Sequence, residues 1–89
     1  MILTRPSWDR AFKKLSADQQ YRVAGVLARL EQSFGRPHEH AGIGVRPIGR
    51  YFECRASRDL RILFVASQGH LILVTAGNHD AIRAFLKNA

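Results

Sequence analysis

The sequence predicts an α+β fold, with an N-terminal strand and a helical hairpin packed on an antiparallel β-meander and a short C-terminal helix. Three observations predict it. Apolar residues recur at helical spacing from Trp8 to Phe34, and the period changes to strand alternation from Ile43 onward. Turn signals then punctuate the second half at Gly49, at Ser57-Arg-Asp59, at Gln68-Gly-His70 and at Gly77-Asn78.

Met1 to Thr4 is β-compatible and is stopped by Arg5-Pro6. Ser7 is placed to cap a first helix, Asp9 favours its N-terminal dipole, and Trp8, Ala11, Phe12 and Leu15 form its apolar side. Ser16-Ala-Asp-Gln19 has the form of a capping box and opens a second, longer helix. Val23, Leu27, Leu30 and Phe34 make one stripe toward a core, Gly35 suits the position after the helix, and Pro37 prevents continuation. Residues 36–42 are expected as a loop. Ile43 to Ile48 then forms a strand broken by Gly49. Tyr51 to Ala56 alternates, with Phe52, Cys54 and Ala56 on one side and Tyr51, Glu53 and Arg55 on the other. Leu60 to Ser67 is a centrally buried strand, and Leu71 to Ala76 follows the next turn. His79 to Asn88 closes the chain as a helix with Ile82, Phe85 and Leu86 as its apolar side.

Eighty-nine residues make one domain, 1–89, and 46% apolar residues suffice for a core. Fourteen Lys and Arg against seven Asp and Glu give +7, which favours a polyanionic partner. Lysine occurs only as Lys13, Lys14 and Lys87, so arginine, suited to bidentate phosphate recognition, carries most of the charge. A single cysteine, Cys54, excludes an internal disulfide and reads as a small buried residue, with a reactive thiol as the competing reading. No apolar run approaches a membrane span or a leader's apolar stretch, so no membrane contact and a cytoplasmic location are expected.

The chemistry concentrates in Tyr51 to Arg61 and in Ala76-Gly-Asn-His-Asp80. Acids, guanidiniums and an imidazole converging on a small basic domain suggest phosphodiester chemistry; the competing reading is a solvated sheet edge. Phosphodiester cleavage without a metal needs a base for the attacking hydroxyl, cations for the phosphorane oxygens and an acid for the leaving oxygen. His79 is the best titratable candidate, although a His at a helix start is often merely solvated. Arg61 opens an apolar strand and suits phosphate binding, or an ion pair with Glu53 or Asp59. Glu53 and Arg55 share a face, Glu53 to act as base or to orient His79 and Arg55 to bind phosphate, or both to form a cross-strand pair. Asp59 lies in a turn, where Asp is also common for local hydrogen bonding. Arg50 and Arg58 read as general phosphate contacts that set affinity without chemistry. His38, Glu39 and His40 lack the spacing of a metal site, so neither metal nor cofactor is expected. Trp8 reads as a core anchor, with a base-stacking platform as the competing reading. No phosphate-cradling Gly-rich loop, nucleophile elbow or catalytic-triad spacing is present.

The charged strand Phe52-Glu53-Cys54-Arg55, the strand opening Leu60-Arg61-Ile62-Leu63-Phe64 and the strand ending Thr75-Ala-Gly-Asn-His-Asp80 occur in that order. Together they resemble the RelE/ParE superfamily of type II toxins over nearly the whole chain. Glu53, Arg55, Asp59 and His79 are similar to the pattern of the YafQ branch, with Arg55 where that pattern has a His. Against the RelE pattern, Arg61 has a direct counterpart. Phe52 and Glu53 stand where lysines are expected, His79 replaces a late Arg, and Phe85 lies near a Tyr position. The resemblance implies the toxin of a type II toxin–antitoxin module, a ribosome-dependent mRNA endoribonuclease that cleaves by 2′-hydroxyl attack without a metal. It implies a cognate antitoxin, the ribosome and mRNA as partners, and His79, Arg61, Glu53, Arg55 and Asp59 as the catalytic set. The same fold also serves a ParE-like toxin that poisons DNA gyrase, or an inactive scaffold retaining antitoxin or RNA binding.

Overall fold

The computed structural model describes residues 1–33 and 44–88. In chain order these form β1 (Ile2–Thr4), α1 (Pro6–Lys13), α2 (Ala17–Ser33), β2 (Arg46–Ile48), β3 (Tyr51–Ser57), β4 (Leu60–Ser67), β5 (His70–Gly77) and α3 (His79–Asn88). The α+β expectation holds. The sheet has five strands in the order β1-β5-β4-β3-β2, with β2 to β5 as the antiparallel meander. β1 joins its far edge in parallel to β5, so the sheet is mixed. Backbone hydrogen bonds from Leu71 N to Met1 O and from Arg5 N to Leu73 O, both 3.0 Å, fasten that edge.

The first helix starts differently from the expectation. Ser7 lies inside α1; the N-cap is Arg5, with Pro6 in the first turn and no side-chain cap. Pro6 brings a pre-set φ and lacks an N–H, so it starts a helix without needing a capping oxygen. Freed from capping, the Ser7 hydroxyl donates to the Val74 carbonyl at 2.6 Å and ties α1 to β5. The capping box of α2 does form. Gln19 N–H donates to Ser16 Oγ at 3.1 Å, and Ser16 N–H to Gln19 Oε1 at 2.9 Å. The expected strand Ile43 to Ile48 is shorter, beginning at Arg46, because Gly44 takes a left-handed φ of +60° that interrupts extended chain. Ile43, and with it Phe34, Gly35, Pro37, His38, Glu39 and His40, lies outside the described residues.

Two apolar layers enclose the sheet. On one face Trp8, Val23 and Leu30 of the hairpin pack on Cys54, Ile62, Phe64 and Leu73. Trp8 stacks on Phe12 with ring centroids 5.8 Å apart, and Phe52 on Phe64 at 5.6 Å. On the other face Ile82, Phe85 and Leu86 of α3 cover Leu63 and Val74, with Phe85 edge-on to Tyr51. Because α3 is short, it covers only part of that face. The strip of β2, β3 and β4 beyond it carries the charged residues. No helix among the described residues is long and apolar enough to cross a membrane.

Candidate functional site

Strand register assembles the polar strip. The turn at Gly49-Arg50 pairs Ile48 with Tyr51 and therefore sets Arg46 opposite Glu53. Across the next hairpin Glu53 faces Leu63 and Arg55 faces Arg61, which in turn faces Gly77 of β5. Side chains alternate along a strand, so Arg46, Glu53, Arg55 and Arg61 all stand on the α3 side of the sheet. A bulge between Arg55 and Ser57 adds a residue to β3 just before the turn, where bulges twist a strand end and re-aim its side chains.

Glu53 is the surprise of this strip. It is 2% exposed, the sole buried charged residue among those described. Its Oε1 accepts from Arg46 Nε at 3.1 Å, from Arg46 Nη2 at 3.0 Å and from Arg61 Nη1 at 3.0 Å. A carboxylate withdrawn from water is costly unless charged donors replace its hydration, and two guanidiniums do so here. The partners differ in setting: the Arg61 side chain is 15% exposed and that of Arg46 59%. Arg61 Nε is buried and makes no hydrogen bond among the described residues. Next door, on the opposite face, burial first and the Glu53 charge second push the Cys54 thiol up to about 12.

A second group lies where β5 gives way to α3. Asn78 caps that helix: its Oδ1 accepts from Ala81 N–H at 2.8 Å, and its carbonyl from Ile82 N–H at 3.0 Å. The cap fixes His79 as the first helical residue, at the rim of a depression of about 460 Å³ lined by Arg58, Asp59, Arg61, Asn78, His79 and Asp80. His79 Nδ1 lies 3.8 Å from Asp80 Oδ1, and both side chains are largely exposed. Arg61 belongs to both groups, held from behind by Glu53 and opening into the depression in front.

Of the residues read from the sequence, Arg58, Asp59, Arg61 and His79 therefore come together. Glu53 touches that group through Arg61 and is not part of the depression's lining; its hydrogen bonds run to Arg46 and Arg61, with His79 not among them. Arg55 is exposed and sits beside Arg61 in register. Arg50 lies in the turn before β3, at the far end of that strand, and lines a different hollow with Ile48, Gly49, Tyr51 and Leu86. The residue that sequence reasoning passes over is Arg46. Its signal was present, since a two-residue turn at Gly49-Arg50 places Arg46 opposite Glu53. No group of three or more His, Cys, Asp or Glu residues capable of holding a metal occurs among the described residues.

By sequence, no family model and no curated protein matches the chain. Solved structures do. A copper-bound mutant toxin from Helicobacter pylori superposes with a TM-score of 0.73 at 16% identity, over 91% of this chain and 96% of that one. YafQ from E. coli gives 0.71 at 13% identity, over 92% and 96%. The RelB–RelE antitoxin–toxin complex from Methanococcus jannaschii gives 0.68 at 12%, over 93% and 96%. The chain has the fold of the RelE and YafQ toxins. The fold that the strand motifs imply is thus borne out in the backbone.

Proposed function

We propose that this protein, as a single toxin domain spanning 1–89, is the toxin of a toxin–antitoxin pair and cuts ribosome-bound mRNA. The observation that carries this reading is the meeting of Arg61 and His79 at one depression, in a fold shared with RelE and YafQ. A phosphodiester entering the depression would set its non-bridging oxygens against the Arg61 guanidinium, and Arg55 and Arg58 add positive charge nearby. The 2′-oxygen then attacks phosphorus, the bond from phosphorus to the 5′-oxygen breaks, and a 2′,3′-cyclic phosphate and a free 5′-hydroxyl result. His79 is the proton carrier of that step, either accepting from the 2′-hydroxyl or donating to the leaving 5′-oxygen, with water making the other proton transfer. Asp59 and Asp80 border the same space and set its charge.

In this reading Glu53 is not the base. Its carboxylate already accepts from two guanidiniums, so its role is to hold Arg61 in one direction, which lowers the reorganisation needed when charge builds on phosphate. The partner is an acidic antitoxin that covers the basic strip. Support comes from the net charge of +7 and from solved complexes of the same fold, RelE with RelB and YafQ with DinJ.

The test is a translation extract programmed with one message, read by primer extension. Wild type is expected to cut only when ribosomes are translating, and His79→Ala and Arg61→Ala to cut at least 100-fold more slowly. Absence of cutting by wild type sinks the nuclease reading. If the same preparation then blocks gyrase supercoiling, the ParE-like reading replaces it; if it does neither, the fold serves binding alone.

A further inference from the structure

A second cleft adjoins the candidate site and is not used by the reaction above. It has about 440 Å³ and runs between α1 and the first turns of α3. Arg10 of α1 and Lys14, which caps the C-terminus of that helix, are both exposed and stand along one wall. Ala11 and Leu15 form an apolar floor between them and the sheet. The other wall is Gly77 and Ala81, and these two join the cleft to the His79 depression. Gly77 stands opposite Arg61 in strand register, and Ala81 lies within the same helical turn as His79. A side chain at position 77 would narrow this junction, because its Cβ would come 2.9 Å from Ala81 Cβ.

We propose that this cleft is a subsite for the nucleotide that flanks the scissile phosphate of a single-stranded RNA, with Arg10 and Lys14 holding its backbone phosphate. The inference rests on the RNA-cutting reading and extends it. Three features select this occupant. The rim is cationic without an acidic residue in the lining, which suits a phosphate. Ala11, Leu15 and Phe85 make part of the lining apolar, which suits the face of a base. The volume of about 440 Å³ fits one small ligand unit, at the lower end of the range for bound small molecules. Continuity with Arg61 supplies direction: a strand leaving the depression past Gly77 enters this cleft next.

The test is fluorescence anisotropy with a short RNA oligonucleotide 2′-O-methylated throughout, which binds without being cut. Arg10→Glu/Lys14→Glu is expected to weaken binding at least tenfold and to reduce the slope of log affinity against log salt by about 0.7 for each phosphate that is no longer neutralised. Arg22→Glu/Lys87→Glu changes net charge equally at residues outside the cleft's lining, and is expected to stay within about threefold of wild type if the interactions are local. All four positions are exposed, so folding survives these changes, which circular dichroism checks. Equal weakening in the two double variants overturns the subsite, as does a wild type that fails to bind the oligonucleotide at low salt. Loss of acidic antitoxin binding alone, with RNA affinity unchanged in Arg10→Glu/Lys14→Glu, also overturns it and assigns the cleft to a protein segment. The underlying reading fails separately. A wild type that binds the oligonucleotide through Arg10 and Lys14 yet leaves translated message intact keeps the subsite and removes the nuclease.

Discussion

On one face of the central strands Cys54, Ile62, Phe64 and Leu73 leave water by packing against α1 and α2; on the other, Glu53 and Arg61 leave water as charges. Glu53 and Cys54 are neighbours in β3, so the two solutions lie one residue apart. The apolar face gains stability in proportion to area and needs only shape. The polar face gains little net stability from its ion pairs, because desolvation offsets much of the attraction. What it gains is direction: a guanidinium held at 3.0 Å by a buried carboxylate points one way. The difference teaches that the polar strip is built for position and the apolar face for stability.

Substitutions on the two faces put this to the test, and the largest effect belongs to the apolar side. Phe64→Ala should cost about 4 kcal/mol in urea unfolding, since a fully buried ring leaves a cavity that strands pinned on both sides fill poorly. A cost below about 1 kcal/mol would show that this layer repacks freely.

Glu53→Ala follows at about 3 kcal/mol, because it strands the mostly buried Arg61 charge without its partner. Glu53→Gln keeps an acceptor and should lose clearly less. Equal losses in the two variants would mean that charge, rather than hydrogen bonding, holds Arg61.

The thiol gives a pH-dependent contrast. With Cys54 moved from 9.0 to about 12 in the folded chain, the unfolded thiol ionises first as pH rises. The folded state then binds more protons, so stability falls through the window from 9 toward 12, by up to ~1.4 kcal/mol per pH unit. Cys54→Ala should flatten the stability curve between roughly pH 8.5 and roughly 10.5 relative to wild type. Parallel curves for the two proteins would place the thiol in contact with water.

The smallest effect is expected at Arg46→Ala, under about 1 kcal/mol, since that side chain is 59% exposed and Arg61 still serves the carboxylate. Should it match Glu53→Ala, the strip would be one cooperative unit rather than a buried pair with an exposed helper, and a double-mutant cycle with Glu53→Gln would measure that coupling.

Much of this was legible in the chain itself. The capping box at Ser16 and Gln19, the helical stripe of Val23 and Leu30, the strand alternation from Tyr51 to Ala56 and the terminal helix with Ile82 buried all follow from local periodicity, and the structure repeats them. The site was legible in part. Asp59, Arg61 and His79 share motifs whose strands end together, so their meeting follows from hairpin topology. At Ser7 a cap signal and a tertiary hydrogen bond use the same hydroxyl, and only β5 decides between them. Arg50 looks equivalent to Arg58 in sequence, yet the two occupy turns at opposite ends of β3.

The sequence by itself determined which residues are helical, which are extended and which side of β3 each residue takes, because these depend on periods of three to four and of two that a few neighbours set. Only the tertiary structure decided that Glu53 is buried, that Arg46 and Arg61 converge on it and that β1 closes the sheet in parallel beside β5. Burial of a charge depends on what the next strand and the covering helix bring to it. Those contacts join residues far apart in the chain, and no local pattern carries them.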